Sequence, residues 1–161
     1  MRMDINRFQE ARRRAAGFTL IELLITMVML SILAAIAIPS YQGYVRRGQL
    51  SDAFRVLSDM QVKMEQWYQD NKFYGTTAAT ATCATLPGYT AFPVTSGNFR
   101  VDCAAGAAPS QTFTLTAVGV GGLTSGFDYT LNQQGTKGTA NFHGTASTAP
   151  CWLTKPGSCD N

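Results

Sequence analysis

Glu22 is the only charged residue in an apolar stretch that runs from Phe18 to Ile38. A carboxylate near one end of a membrane-length helix costs several kcal/mol unless a cation neutralises it, so its chemistry is that of an ion pair lacking its partner. Catalytic constellations are sparse by comparison. The single histidine, His143, lies among Gly, Thr and Asn, and Asp128 is the nearest acid that could orient it. The chain has no Gly-x-Ser-x-Gly, no phosphate loop and no second histidine to share a metal. His143 therefore reads as a solvent-facing loop residue, and neither enzyme activity nor a cofactor or metal is expected. The cysteines, at 83, 103, 151 and 159, include no C-x-x-C, which favours disulfides over zinc or thioredoxin chemistry. Past residue 71 the cations are Lys72, Arg100, Lys137 and Lys155, with Trp152 and Tyr89 as aromatic neighbours. They form a thin candidate set for holding phosphates and stacking a base.

The elements that position these groups begin with the apolar stretch. Its 21 residues span about 31 Å as a helix, the thickness of a bilayer core. Before it stand Arg12, Arg13 and Arg14, and residues 1–17 carry five Arg against Asp4 and Glu10. From Phe18 onward eight basic and eight acidic residues cancel. The excess charge belongs to the leader, which predicts a cytoplasmic N-terminus and export of the remainder. All four cysteines fall on the exported side, as an oxidising compartment requires. Two simpler readings compete: a single-span anchor, and a secretory signal cut after Ala35-Ile36-Ala37. Against the latter, a normal apolar signal core is about 7–15 residues and carries no acid.

Pro39 removes one backbone donor and predicts a kink or a loosened turn. Beyond it, Leu50, Ala53, Phe54, Leu57, Met60, Met64, Trp67 and Tyr68 recur at spacings of three and four. They make one apolar stripe suited to pack on a sheet. Gln49, Asp52, Arg55, Asp59, Lys63 and Gln66 form the opposite face. Gly43 and Gly48 are weak points, Arg46-Arg47 reads as a membrane-boundary pair, and residues 71–75 read as the stop. Residues 76–85 form a Thr/Ala-rich loop, solvated or open to O-linked sugars, that leads into Leu86-Pro87-Gly88. Strands are expected over 98–103, 112–118, 127–131 and 139–142, with a glycine-rich turn over 119–126. The expected class is α+β. A long N-terminal helix, membrane half plus amphipathic half, packs on an antiparallel sheet of about four strands, with a C-terminal disulfide loop.

Gly17-Phe18-Thr19-Leu20-Ile21-Glu22, with the basic leader before it and Ile38-Pro39 after the apolar run, resembles the class III leader of type IV pilins. The resemblance is specific over about the first third of the chain. It implies that a prepilin peptidase cuts after Gly17 and that Phe18 becomes N-methylated, so residues 1–17 are a leader. Residues 18–45 would then be the transmembrane and assembly helix, and residues 46–161 the exported head. It also accounts for Glu22: the new amine at Phe18 of one subunit would meet the Glu22 carboxylate of the next in a staggered bundle. Burying the pair is far cheaper than burying either charge alone. Family fibres lose helicity before this proline and often carry a glycine eight residues ahead of it, where this chain has Ser31. Of the three possible pairings, local bridges Cys83–Cys103 and Cys151–Cys159 are expected, the second like the C-terminal loop of type IVa pilins.

By resemblance the chain is a structural pilus subunit, closest to PilE-type minor pilins, though their cysteine before the second strand is replaced here by Phe127-Asp128-Tyr129. Its implied partners are other pilin subunits, the peptidase, an inner-membrane assembly platform and, as a precursor, the membrane itself. The implied location is first the inner membrane and then an extracellular fibre for motility, adhesion or DNA uptake. A competence-type DNA-receptor pilin and a type II secretion pseudopilin are the alternatives. For DNA, the candidate contacts are Lys72, Arg100, Lys137, Lys155 and Trp152.

Overall fold

The structure, a computed structural model, describes residues 17–89 and 91–160. The basic segment expected to be a leader, with Arg12, Arg13 and Arg14, lies outside the described residues except for Gly17. The chain divides between Ser40 and Tyr41 into two compact units. One helix, α1 (Leu20–Asn71), contributes to both.

In the first unit α1 carries the apolar run, with side chains from Leu20 to Ile38 exposed. The two hydroxyls within the run satisfy themselves on their own backbone: Thr26 Oγ1 donates to Leu23 O at 2.9 Å and Ser31 Oγ to Val28 O at 2.7 Å. Such internal pairing is what a hydrocarbon surrounding demands. Pro39 lies inside the helix without interrupting it. The loosened turn expected there is not seen in the isolated chain. Removing one donor from an i→i−4 ladder leaves the flanking bonds able to carry the helix.

In the second unit the stripe of α1 is buried, and Leu50, Ala53, Phe54, Leu57, Met60 and Met64 join one core. Val56, outside the expected stripe, is buried too, whereas Trp67 and Tyr68 are half-buried. Facing them are Phe99 and Val101 of β2 (Phe99–Ala105) and Phe113, Leu115 and Ala117 of β3 (Phe113–Gly119). Tyr129 and Leu131 of β4 (Asp128–Asn132) complete that wall. Their period-two burial is the half-covered face of an antiparallel sheet. The helix stops at Lys72, which takes a positive φ of 66° and caps the last turn by giving its N–H to Tyr68 O.

The sheet has six strands in sequential order, β1 (Val94–Ser96) through β5 (Lys137–Phe142) and β6 (Thr145–Ala149), all antiparallel. The four expected strands are its centre. Both edges were missed because β1 has three residues directly after Pro93 and β6 reads Thr-Ala-Ser-Thr-Ala, without apolar alternation. A separate hairpin, β7 (Trp152–Lys155) with β8 (Ser158–Asp160), closes the chain. The glycine-rich turn between β3 and β4 holds a 3-10 turn at Gly122–Thr124. Gly119 there admits no side chain, since a Cβ would fall 1.9 Å from Thr124 O.

Disulfides join Cys83 to Cys103, tying the loop after α1 to β2, and Cys151 to Cys159 across the terminal hairpin. Each bridge of this kind contributes about 2–4 kcal/mol, largely by restricting the unfolded chain. A head with one modest core gains from both.

Candidate functional site

At the start of α1 the motif residues arrange themselves by local rules. Gly17 has open space around it and the Phe18 ring is 83 % exposed. Thr19 is the N-cap: its Oγ1 accepts the Glu22 N–H at 3.2 Å, and its carbonyl accepts the Leu23 N–H. Thr19-Leu-Ile-Glu22 therefore has the spacing of a capping box, a signal in the sequence beyond the ion-pair reading. Glu22 occupies the first turn of the helix, where the macrodipole favours an anion. No cation pairs with it among the described residues. The apolar run behind it is bare, with Leu23, Leu24, Ile25, Met27 and Val28 at least half exposed.

The four cations of the head do not form one group. Arg100 Nη2 pairs with Asp102 Oδ2 at 3.1 Å, and both project from the face of β2 opposite Phe99 and Val101. Lys137 pairs in register with Leu131, hence points to the core side, and its Nζ lies 4.7 Å from the centre of the Trp152 ring. Register thus puts Arg100 and Lys137 on opposite faces of the sheet. Lys72 Nζ donates to Gln69 O at 2.6 Å, at the end of α1. Lys155 ends β7 and is exposed.

Trp152 requires a correction as a stacking group for DNA. It is 3 % exposed, stacks on Phe54 at 4.7 Å, and gives its Nε1–H to Thr130 O at 2.9 Å. Its ring is already used by the core. Tyr89 is likewise engaged: its hydroxyl donates to Asp59 Oδ2 at 2.6 Å, while Lys63 Nζ sits 4.4 Å over the ring and pairs with Asp59. Burial first, then the Asp59 carboxylate, pushes the Tyr89 phenol up to about 12. The Tyr89 hydrogen bond leads the causes that hold Asp59 below the ordinary carboxylate value.

His143 sits in the two-residue turn between β5 and β6, with φ of 54° and Gly144 at 78°. Two successive positive values are the geometry of a tight hairpin turn. Its ring is exposed yet packs edge-on against Phe127 and Phe142. Burial, then the nearby Arg46 guanidinium, lowers its pKa. Asp128, the acid considered for it, instead accepts Asn141 Nδ2 and the Gly119 N–H. Arg46 is itself turned to the head, its guanidinium 5.5 Å from the centre of the Phe127 ring.

A family model described as "Prokaryotic N-terminal methylation motif" matches residues 12–38. A second, "Type IV minor pilin ComP, DNA uptake sequence receptor", matches residues 39–129. Among curated proteins, the fimbrial protein EcpC of Eikenella corrodens is 35 % identical over 146 residues, 90 % of each chain. The type IV major pilin protein PilE of Neisseria gonorrhoeae is 35 % identical over 75 residues, 45 % of each. A type IV major fimbrial protein FimA of Dichelobacter nodosus is 46 % identical over 59 residues, 37 % of this chain and 38 % of that one.

Proposed function

Because the chain belongs to the type IV pilin family, we propose that it is made as an inner-membrane precursor and matured into a fibre subunit by cleavage after Gly17 and methylation of Phe18. Residues 1–17 are the leader, residues 18–45 the span and assembly helix, and residues 46–161 the exported head. The precursor keeps its N-terminus in the cytoplasm, as the leader arginines dictate. Its partners are the prepilin peptidase, the inner-membrane assembly platform and other pilin subunits.

One observation carries this reading. A membrane-length apolar surface bears a single carboxylate, Glu22, directly behind the cleavage motif. Cleavage creates a cation at Phe18, and a neighbouring subunit's Glu22 is the acid that it meets. Apolar side chains then leave lipid for each other along the bundle, with the ion pair fixing their stagger. Catalysis, on this reading, is done to the chain at Gly17 by another protein.

The test is to shear surface fibres and quantify this chain in them by mass spectrometry, reading its N-terminal peptide. A methylated Phe18 terminus in the fibre is expected, in large amount for a major pilin and in trace for a minor one. A processed chain absent from fibres would transfer the reading to a secretion pseudopilin. An N-terminus at Ile38 would mean an ordinary signal peptide and would overturn the proposal.

A second reading, DNA reception, is favoured by the description of the family model that matches residues 39–129. Its test is salt-dependent binding of DNA by the full-length chain in detergent. No binding at low salt would remove it.

A further inference from the structure

The two disulfides sit in unlike surroundings. Cys83 is 7 % exposed and belongs to the core, and Cys103 packs against that core. Main-chain pairing holds both ends of this bridge: Cys83 pairs with Gly75, and Cys103 with Leu115 in the ladder of β2 and β3. The terminal bridge lies outside the core. Cys159 is exposed on β8, with exposed Pro156, Gly157 and Ser158 ahead of it, and Cys151 is half-buried. What seats this hairpin does not run through the bridge. Trp152 stacks on Phe54, Tyr129 donates its hydroxyl to Leu153 O, and Thr139 donates to Cys151 O while accepting the Leu153 N–H at 3.0 Å. β8 follows by its ladder with β7, Trp152 opposite Asp160 and Leu153 opposite Cys159.

We propose that Cys151–Cys159 is a thiol–disulfide exchange site for a low-molecular-weight thiol, entered at Cys159. All four cysteines are paired, so the attacking sulfur comes from outside the chain. Its thiolate attacks Cys159 Sγ and a new S–S bond forms there. The Cys151–Cys159 bond breaks, and its electron pair leaves on Cys151 Sγ, which takes up a proton from water. The incoming sulfur is thus oxidised to the disulfide level and Cys151 is reduced. In the reverse step the Cys151 thiolate attacks Cys159 Sγ and expels the thiol. Access decides which bridge reacts, because exchange depends on reaching the sulfur attacked, and exposed bridges are the labile ones. Reaching Cys83–Cys103 would require opening the core, so that bridge stays structural. Breaking the terminal bridge removes none of the bonds that seat β7, and the ladder holds Cys159 within reach for closure. The hairpin can therefore be opened and closed covalently without unfolding the head.

The experiment equilibrates the full-length chain, in detergent, with graded mixtures of reduced and oxidised glutathione. Free thiols are then blocked with N-ethylmaleimide and the peptides read by mass spectrometry. Opened chains should carry glutathione on Cys159 and maleimide on Cys151. Cys83–Cys103 should stay oxidised until the equilibrium constant for reduction is exceeded by at least about tenfold, a difference of about 30 mV for this two-electron couple. Hydrogen exchange on the same samples reads the seat of β7, and the Leu153 N–H should keep its protection after the terminal bridge opens. Opening of both bridges together, or of Cys83–Cys103 first, overturns the proposal. So does glutathione on Cys151 in place of Cys159, or its absence from opened chains. Loss of Leu153 protection on opening also overturns it, because the bridge itself would then be what seats the hairpin.

Discussion

Glu22 illustrates how one residue serves two physical purposes. Thr19 caps the helix by accepting the Glu22 N–H, and an acid at that spacing suits both the capping box and the helix dipole. The capping box does not require a full charge, since glutamine also completes it, and the dipole term that glutamine gives up is only about 0.3–1 kcal/mol. Glu22→Gln therefore separates capping from ion pairing. The variant should be processed at Gly17 and remain helical in micelles, yet its sheared-fibre yield should collapse, because breaking a buried pair costs about 3–5 kcal/mol. Normal fibre yield from Glu22→Gln would leave capping as the sole role. His143 makes a separate prediction. Burial, then Arg46, lowers its pKa from 6.5, so the fold favours the neutral ring and the unfolded chain binds the proton more readily. Its contribution to stability is thus complete above pH 6.5 and is lost as pH falls through the lower folded value. Thermal melts of the head from pH 8 to 4.5 (a range set by about two units on either side of the free-imidazole value) should show that loss, and His143→Gln should flatten it.

At the level of elements, the terminal hairpin is held by its contacts as well as by its disulfide. Trp152 of β7 stacks on Phe54 of α1, and Tyr129 of β4 donates its hydroxyl to Leu153 O at 2.7 Å. Thr139 of β5 donates to Cys151 O at 2.6 Å and accepts the Leu153 N–H. These bonds seat β7 on the main sheet independently of the Cys151–Cys159 bridge. Trp152→Ala should therefore destabilise the head by about 3–5 kcal/mol, measured by denaturant unfolding. The loss should persist when both disulfides are reduced. If reduction alone removes all of the effect, the covalent bridge is the real anchor. The spacing Phe54, Leu57 and Met60 made the helix half of this contact legible in the sequence. Its partner was not, because a lone tryptophan beside a cysteine carries no periodicity that says which face it will meet.

Over the whole molecule, charge and apolar surface are segregated along the chain. Among its described residues the first unit offers an uncovered apolar helix with one acid, while the second packs its own core and is close to neutral. That division suits a subunit whose helix binds other subunits and whose head faces water. It also limits DNA binding by a single copy, since Arg100 is paired with Asp102 and lies across the sheet from Lys137. A salt titration of DNA binding should give a log–log slope no steeper than about −2, because each phosphate contacted contributes about −0.9. A steeper slope would mean that several copies, or contacts outside these four cations, build the interface. By itself the sequence determined the N-terminal methylation motif, the length of the apolar run, the stripe of α1 and the central strands. All of these are periodic or local patterns, written in neighbouring residues. Only the tertiary structure decided which face of the sheet each cation occupies, that Trp152 is buried, that Arg46 turns to the Phe127 ring, and that two short strands finish the sheet. Those outcomes depend on register and on contacts between residues far apart in the chain, and no local pattern encodes them.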